Sequence, residues 1–207
     1  MQGLVGAHRT GKTTLASEVA RLHGWEFAQT SVSAIFKSLG YNPAQEFDFG
    51  TRLTIQEEIL RRMDAFYAKV SGPNVITDRT PIDMLAYTMA EAIGERVTPD
   101  LQGRFAAYAD ACFDVTNRRF TEILLVQPGI QLVREEGKAA LNMPYIEHLN
   151  SLMLGLCSDE RMKVPHYYIP KHRIDLGKRV ESVLSARRRS VNQAFNEMEQ
   201  LSPEEIH

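Results

Sequence analysis

Near the amino terminus the run Gly6-Ala7-His8-Arg9-Thr10-Gly11-Lys12-Thr13 follows the pattern G-x-x-x-x-G-K-[ST] in full. The chemistry of that spacing is anion capture. Gly6 and Gly11 tolerate backbone angles that other residues resist, so successive N–H groups can converge on one phosphate. Lys12 supplies a cation for the β- and γ-phosphates, and Thr13 a hydroxyl for Mg²⁺. His8, Arg9, Thr10 and Thr14 complete the lining, and the cofactors expected here are ATP and Mg²⁺.

The elements needed to position this loop can be read on either side of it. Gly3-Leu4-Val5 reads as a strand, and Leu15, Val19 and Leu22 repeat at helical spacing before Gly24. A helix that starts at the loop aims its N-terminus at the phosphates. Residues 25–29 form a short second strand. Gln29, Thr30 and Ser31 lie at its carboxyl end, where an open α/β sheet places its ligands. Capping of the next helix, over 32–39, accounts for them equally well.

A long helix follows at about 51–70, with Leu53, Ile59, Leu60, Met63, Phe66, Tyr67 and Val70 as its apolar stripe. Arg52 and Gln56 fall off that stripe near the helix start and are candidates to face an acceptor. Arg61 and Arg62 read as solvated charges. Residues 74–77 make a third strand that runs into Asp78-Arg79, and Thr80-Pro81 opens a helix with Ile82, Leu85, Ala86 and Met89 inward. A further helix carries Leu101, Phe105, Tyr108 and Cys112. Residues 122–126, Glu-Ile-Leu-Leu-Val, are the clearest strand. A charged, glycine-broken segment at 131–140 precedes a helix at about 144–156 and a last strand at 166–169. The closing helix begins near Asp175 and weakens beyond Ala186, where a protruding tail at 187–207 offers a docking surface for a second copy.

Composition agrees with one ordinary domain: 207 residues, 43% hydrophobic, with a net charge of −2. That charge does not mark a nucleic-acid binder, although a local basic groove stays open. No run is long and apolar enough to span a membrane. Cys112 and Cys157 lie far apart on apolar faces and read as buried thiols of a reduced, cytoplasmic protein. The loop begins almost at Met1, which leaves no room for a secretory leader. The alternation of strands and helices implies an α/β, three-layer fold: a parallel sheet of about five strands, helices on both faces, and a small lid at about 129–158 within a domain spanning 1–186.

The stretch Asp78-Arg79-Thr80-Pro81-Ile82-Asp83-Met84-Leu85-Ala86-Tyr87 resembles the D-R-x-x-x-S-x-x-A-Y signature of thymidylate kinases. It is also similar to the corresponding segment of deoxynucleoside kinases and of ribosylnicotinamide-kinase-like P-loop proteins, including small phage nucleotide kinases. The order of parts follows those families from Gly6 to about Leu184, while the motif matches are confined to two short stretches. The resemblance implies a P-loop kinase fold. It implies that Asp78 sits beside the Mg²⁺ water shell and the acceptor oxygen, so that Thr13 and Asp78 serve the metal. Arg79 would clamp the acceptor's phosphate or the transferring group. Asp83 stands where thymidylate kinases have Ser, on the acceptor side. Arg134 and Lys138 are the cations of the segment where a lid belongs, and Arg134 would act on the transferring group. Pro170-Lys171-His172-Arg173 falls where such kinases hold the adenine ring.

The activity so implied is ATP- and Mg²⁺-dependent transfer to a nucleoside monophosphate, a deoxynucleotide foremost. A nucleoside kinase, or a kinase of a hydroxymethylated base within phage DNA, is the alternative, with Arg118-Arg119 and Arg187–Arg189 on the backbone. A nucleotide-switched binding module without transfer is the alternative of another class.

Overall fold

The computed structural model describes residues 1–42, 45–70, 72–92, 97–131 and 142–200. Five strands form one parallel sheet in the order β2-β3-β1-β4-β5: β1 (Gln2–Val5), β2 (Glu26–Phe27), β3 (Val75–Thr77), β4 (Glu122–Val126) and β5 (His166–Ile169). The helices are α1 (Lys12–His23), α2 (Val32–Ser38), α3 (Phe49–Val70), α4 (Pro81–Glu91), α5 (Pro99–Arg119), α6 (Met143–Cys157) and α7 (Leu176–Gln200). β1 lies at the centre, paired with β3 through Gln2 and Ile76 and with β4 through Gln2 and Glu122.

Strand side chains alternate between the two faces, and both faces are apolar, as a parallel sheet covered on both sides requires. Val5, Val75, Ile123 and Leu125 join one core with the buried faces of α3, α4, α5 and α6. Leu4, Ile76, Leu124 and Val126 join a second with α1 and α7. The α/β three-layer expectation therefore holds, down to the number of strands. Cys112 and Cys157 are buried free thiols, as expected, and burial pushes each up to about 12.

Three elements exceed their expected bounds. α3 starts at Phe49 because the Asp48 carboxylate accepts from the Thr51 N–H and hydroxyl and caps the end. α5 runs past Cys112 to Arg119, carried by buried Phe113, Val115 and Thr116. α7 continues without a break to Gln200, with Val191, Phe195 and Met198 on its exposed surface.

Of the arginines considered for nucleic acid, Arg118, Arg119 and Arg187 are engaged within the fold, while Arg188 and Arg189 are exposed on α7. Arg118 and Arg119 pair with Asp64, and Arg187 with the buried Glu122 at 3.0 Å. Arg119 and Glu122 flank the amino end of β4, whereas the phosphate loop leaves the carboxyl end of β1. Those charges thus lie across the sheet from the loop. Arg61 and Arg62 both bond Glu58 on the outer surface of α3. Among the described residues no helix is long and apolar enough to cross a membrane.

Candidate active site

The phosphate loop joins β1 to α1. Its last residue, Gly11, caps the helix at φ 82°, a left-handed angle that glycine adopts without a Cβ penalty, and among the described residues no side chain caps α1. The first N–H groups of α1 are thus left for a ligand, the arrangement that binds phosphate at helix N-termini. Lys12 folds back across the loop, donating to the carbonyls of Gly6 at 2.5 Å and Ala7 at 2.8 Å. Burial pulls its ammonium from the ordinary 10.5 down to about 8, with Asp83 and Asp78 opposing the fall and Arg79 adding to it.

That depressed value has a measurable consequence. Above pH 8 the free protein increasingly carries a neutral Lys12, while a triphosphate beside it favours the charged form. Nucleotide binding should therefore take up a proton between about pH 8 and 10, and affinity should fall as pH rises through 8. Calorimetry at pH 8.5 in two buffers of different ionisation heat measures the uptake directly. Equal heats in both buffers would contradict it.

β3 delivers Asp78 to the other side of the loop. The Thr13 hydroxyl donates to Asp78 Oδ2 at 2.5 Å, and the Thr30 hydroxyl lies 3.5 Å from Oδ1. Two of the sequence-derived metal residues therefore meet, and Thr30 from the end of β2 joins them. Ser31 caps α2 by accepting from the Ala34 N–H, while Gln29 is exposed.

Arg79 follows Asp78 and turns its guanidinium over the Tyr87 ring, 5.6 Å from the centroid. The Arg79 carbonyl accepts from the Tyr67 hydroxyl at 3.0 Å, which fixes the backbone at the strand end. Burial works against the charge of Arg79, but Asp83, Tyr87 and Asp78 more than offset it and raise its pKa.

Asp83 is wholly buried, and its carboxylate faces the phosphate loop rather than an open groove. Oδ1 accepts from the Gly6 N–H at 2.8 Å; Oδ2 accepts from the Thr80 N–H at 2.8 Å and hydroxyl at 3.0 Å. With Thr80 it makes a capping box that opens α4. One turn further along, the Tyr87 hydroxyl accepts from the His8 N–H at 2.8 Å and lies 3.1 Å from His8 Nδ1. α4 thus holds the phosphate loop at two backbone N–H groups. The His8 ring also lies 6.0 Å from that of Tyr145 on α6. Burial, then Lys12, Arg79 and Arg9, lower the His8 pKa and favour a neutral ring.

Arg52 does not stand free on the acceptor side. It pairs with Glu91 at the end of α4, and its guanidinium lies 5.6 Å from the Phe36 ring and 5.0 Å from that of Phe47. Gln56, one turn on, is buried with an unpartnered Oε1. Arg134 and Lys138 lie outside the described residues. α6, which follows that segment, buries Ile146, Leu149 and Met153 in the core shared with α4.

Three residues absent from the sequence-derived site emerge from the structure: Tyr87, Tyr145, and Arg179 of α7, whose guanidinium donates to the Thr10 carbonyl. Tyr87 falls within the quoted motif, and its position on the polar side of α4 was a usable signal. Tyr145 and Arg179 carry none, because nothing in local spacing ties either to a loop near the amino terminus.

A strand, a glycine loop and an uncapped helix on a parallel sheet, with an acid at the end of the neighbouring strand, define a P-loop protein. A family model described as an AAA domain matches residues 3–132, more than half of the sequence. The chain belongs to that family. Among solved structures it is similar to deoxyadenosine kinase from M. mycoides with bound dCTP, at 16% identity and TM-score 0.60, covering 89% of this chain and 97% of that one. The same enzyme with bound dATP gives 17% identity and TM-score 0.60, over 89% and 98%. The YorR protein from Bacillus subtilis, in complex with phosphorylated GDP, gives 12% and 0.51, over 88% and 92%. At such identities the likeness is one of fold, and the fold is that of the P-loop kinases. No curated protein sequence matches the chain.

Proposed function

We propose that this protein transfers the γ-phosphoryl group of ATP to a nucleoside monophosphate, a deoxynucleotide foremost. The observation that carries the proposal is the Thr13–Asp78 contact with Arg79 next in sequence. It brings a hydroxyl on the first turn of α1 against an acid that follows β3, with a cation next to that acid in sequence. A switch protein would need the triphosphate side alone.

The residues present suit Mg²⁺. A carboxylate and a hydroxyl in contact are hard oxygen donors, and Mg²⁺ is ordinarily held by one or two carboxylates with phosphates and water. Among the described residues no cluster of three or more His, Cys, Asp or Glu would hold a metal by itself. Thr13 and Asp78 would hold the ion against the triphosphate, and it would neutralise charge on the β- and γ-oxygens.

The rest of the chemistry belongs to the chain. Lys12 would leave the Gly6 and Ala7 carbonyls to meet the β- and γ-phosphates, while the N–H groups at the start of α1 hold the non-transferring phosphates. Asp78 orients the acceptor oxygen or takes its proton. Arg79 neutralises the group in flight or the acceptor's own phosphate. Phosphoryl transfer asks for positioning and charge neutralisation more than covalent chemistry, so this small set is sufficient. Thr30, Gln56 and the Arg52–Glu91 pair form the acceptor wall in this reading, with Gln29 at its rim. Asp83 acts from beneath, through Gly6 and Thr80. Arg134 and Lys138 are proposed to close over the phosphates.

One observation favours a second reading. Glu91 already neutralises Arg52, which suits a nucleoside acceptor lacking a phosphate. The solved structures of similar fold include deoxyadenosine kinase with dCMP and dCDP, described as products. Labelled ATP offered with nucleosides, nucleoside monophosphates and oligonucleotides separates the two. Diphosphate formation with slow ATP hydrolysis is the expected result. Monophosphate formation from nucleosides alone selects the second reading, label entering oligonucleotides alone selects a DNA kinase, and ATP hydrolysis indifferent to every acceptor overturns the kinase reading.

A further inference from the structure

Arg179, on the first turn of α7, is 2% exposed, yet among the described residues no carboxylate pairs with it. Its Nη1–H donates to the Thr10 carbonyl at 2.8 Å, and its Nε–H donates to the Arg173 carbonyl at 2.8 Å. Nη2 is buried without a partner. A buried guanidinium satisfied by carbonyls alone is costly, so its retention needs another explanation than stability. Burial accordingly lowers its pKa.

We infer that Arg179 is a positioning residue of the donor site, one that clamps the phosphate loop and the loop after β5 into a single cradle for the nucleotide. This rests on the reading of the glycine loop as the ATP site.

The geometry gives the clamp a specific effect. A trans peptide points its C=O and N–H to opposite sides of the chain. Arg179 draws the Thr10 carbonyl outward, so the Gly11 N–H is turned inward, where the phosphates bind. Gly11 itself is wedged at that point. A Cβ on it would meet Arg179 Nη1 at 3.1 Å and Ile130 Cδ1 at 3.3 Å. The same guanidinium fixes the Arg173 carbonyl, and so the course of residues 170–173. That loop is held from its other side by Gly129, whose Cβ would fall 1.8 Å from the Lys171 carbonyl oxygen. Arg179 bonds both loops, and its planar fork does so from two separate nitrogens, Nε and Nη1, a span that the single nitrogen of an ammonium does not reproduce.

The test compares Arg179→Lys and Arg179→Met with wild type. ATP binding without acceptor is measured by calorimetry, and steady-state kinetics are measured with each substrate varied in turn. Two charge-assisted hydrogen bonds are at stake, so both variants should bind ATP about 10- to 100-fold more weakly. KM for ATP should rise in step, while KM for the acceptor stays within about two-fold. Inorganic tripolyphosphate, which has no base or sugar, should also bind more weakly, because the Gly11 N–H is part of the effect. Arg179→Lys keeps the charge and most of the buried volume, so it reports even if Arg179→Met unfolds.

A lowered melting temperature with unchanged ATP affinity in Arg179→Lys would reduce the residue to a structural tie and overturn the inference. Equal losses for ATP and acceptor would overturn it as well. If wild type itself bound no ATP, the donor-site reading would fall and take the inference with it.

Discussion

Lys12→Ala should abolish phosphoryl transfer in a protein that still folds. The loss expected is about 3–4 kcal/mol in transition-state stabilisation, or roughly 10²- to 10³-fold in rate, the effect of deleting one preorganised donor to developing charge. The free structure explains why the fold should survive. Lys12 is buried and desolvated, and among the described residues it bonds the Gly6 and Ala7 carbonyls of its own loop. Its removal frees two acceptors but also relieves the burial of a cation, so the net change in stability should be small. Thermal melts and circular dichroism verify the fold, and single-turnover transfer from labelled ATP measures the loss. The variant should also lose the proton uptake described for wild type near pH 8.5, since the titrating group is gone. Transfer near the wild-type rate in a folded Lys12→Ala protein would remove the glycine loop from the active site.

Asp78→Asn should produce an equally large effect of a different kind. An amide oxygen can still accept from the Thr13 hydroxyl, so the strand end keeps its shape. It lacks the negative charge for a metal and the basicity for a proton, and kcat should fall by about 10²- to 10⁴-fold. ATP binding, measured without acceptor, should change little. Its neighbour separates the acceptor side. Arg79→Lys replaces a planar, two-pronged donor with a point charge that cannot reproduce a bidentate grip on phosphate. Its cost should fall on acceptor KM and kcat together, with ATP affinity nearly unchanged. Varying each substrate in turn on the folded variants resolves these patterns. Unchanged acceptor kinetics in both would leave Asp78 and Arg79 as residues of the fold alone.

What could be read in the sequence was whatever depends on local spacing. The glycine loop, the strand of residues 122–126 and the apolar stripe of α3 are each set within about twenty residues of chain, and each lies where its period places it. Asp83 was read against a family pattern as a departure on the acceptor side. Its actual partners are Gly6, 77 positions away, and Thr80. A capping-box reading of Thr80 with Asp83 was available from spacing alone, but the Gly6 contact was not. Arg52 lay off the apolar stripe and so resembled a free cation. Only the close of α4, which brings Glu91 against it, shows otherwise. The tail of α7 illustrates a further limit, because the spacing of Val191, Phe195 and Met198 specifies a helix and says nothing of what covers it.

The central place of β1 has a consequence for how the chain acquires its shape. β1 has no partner among its near neighbours in sequence; it waits for residue 76 on one edge and residue 122 on the other. Pairings between such distant segments must overcome the entropy of closing long loops before they gain any stability, which makes topologies of this kind slow to form. The loop that β1 carries waits longer still. Its Gly6 N–H is oriented by residue 83 and its Thr10 carbonyl by a residue 169 positions downstream. A nascent chain that has made every residue of the glycine loop therefore lacks the tie to its Thr10 carbonyl until α7 has been synthesised and docked. In a refolding experiment the ability to bind nucleotide should return with the slowest structural phase, after most of the helical signal.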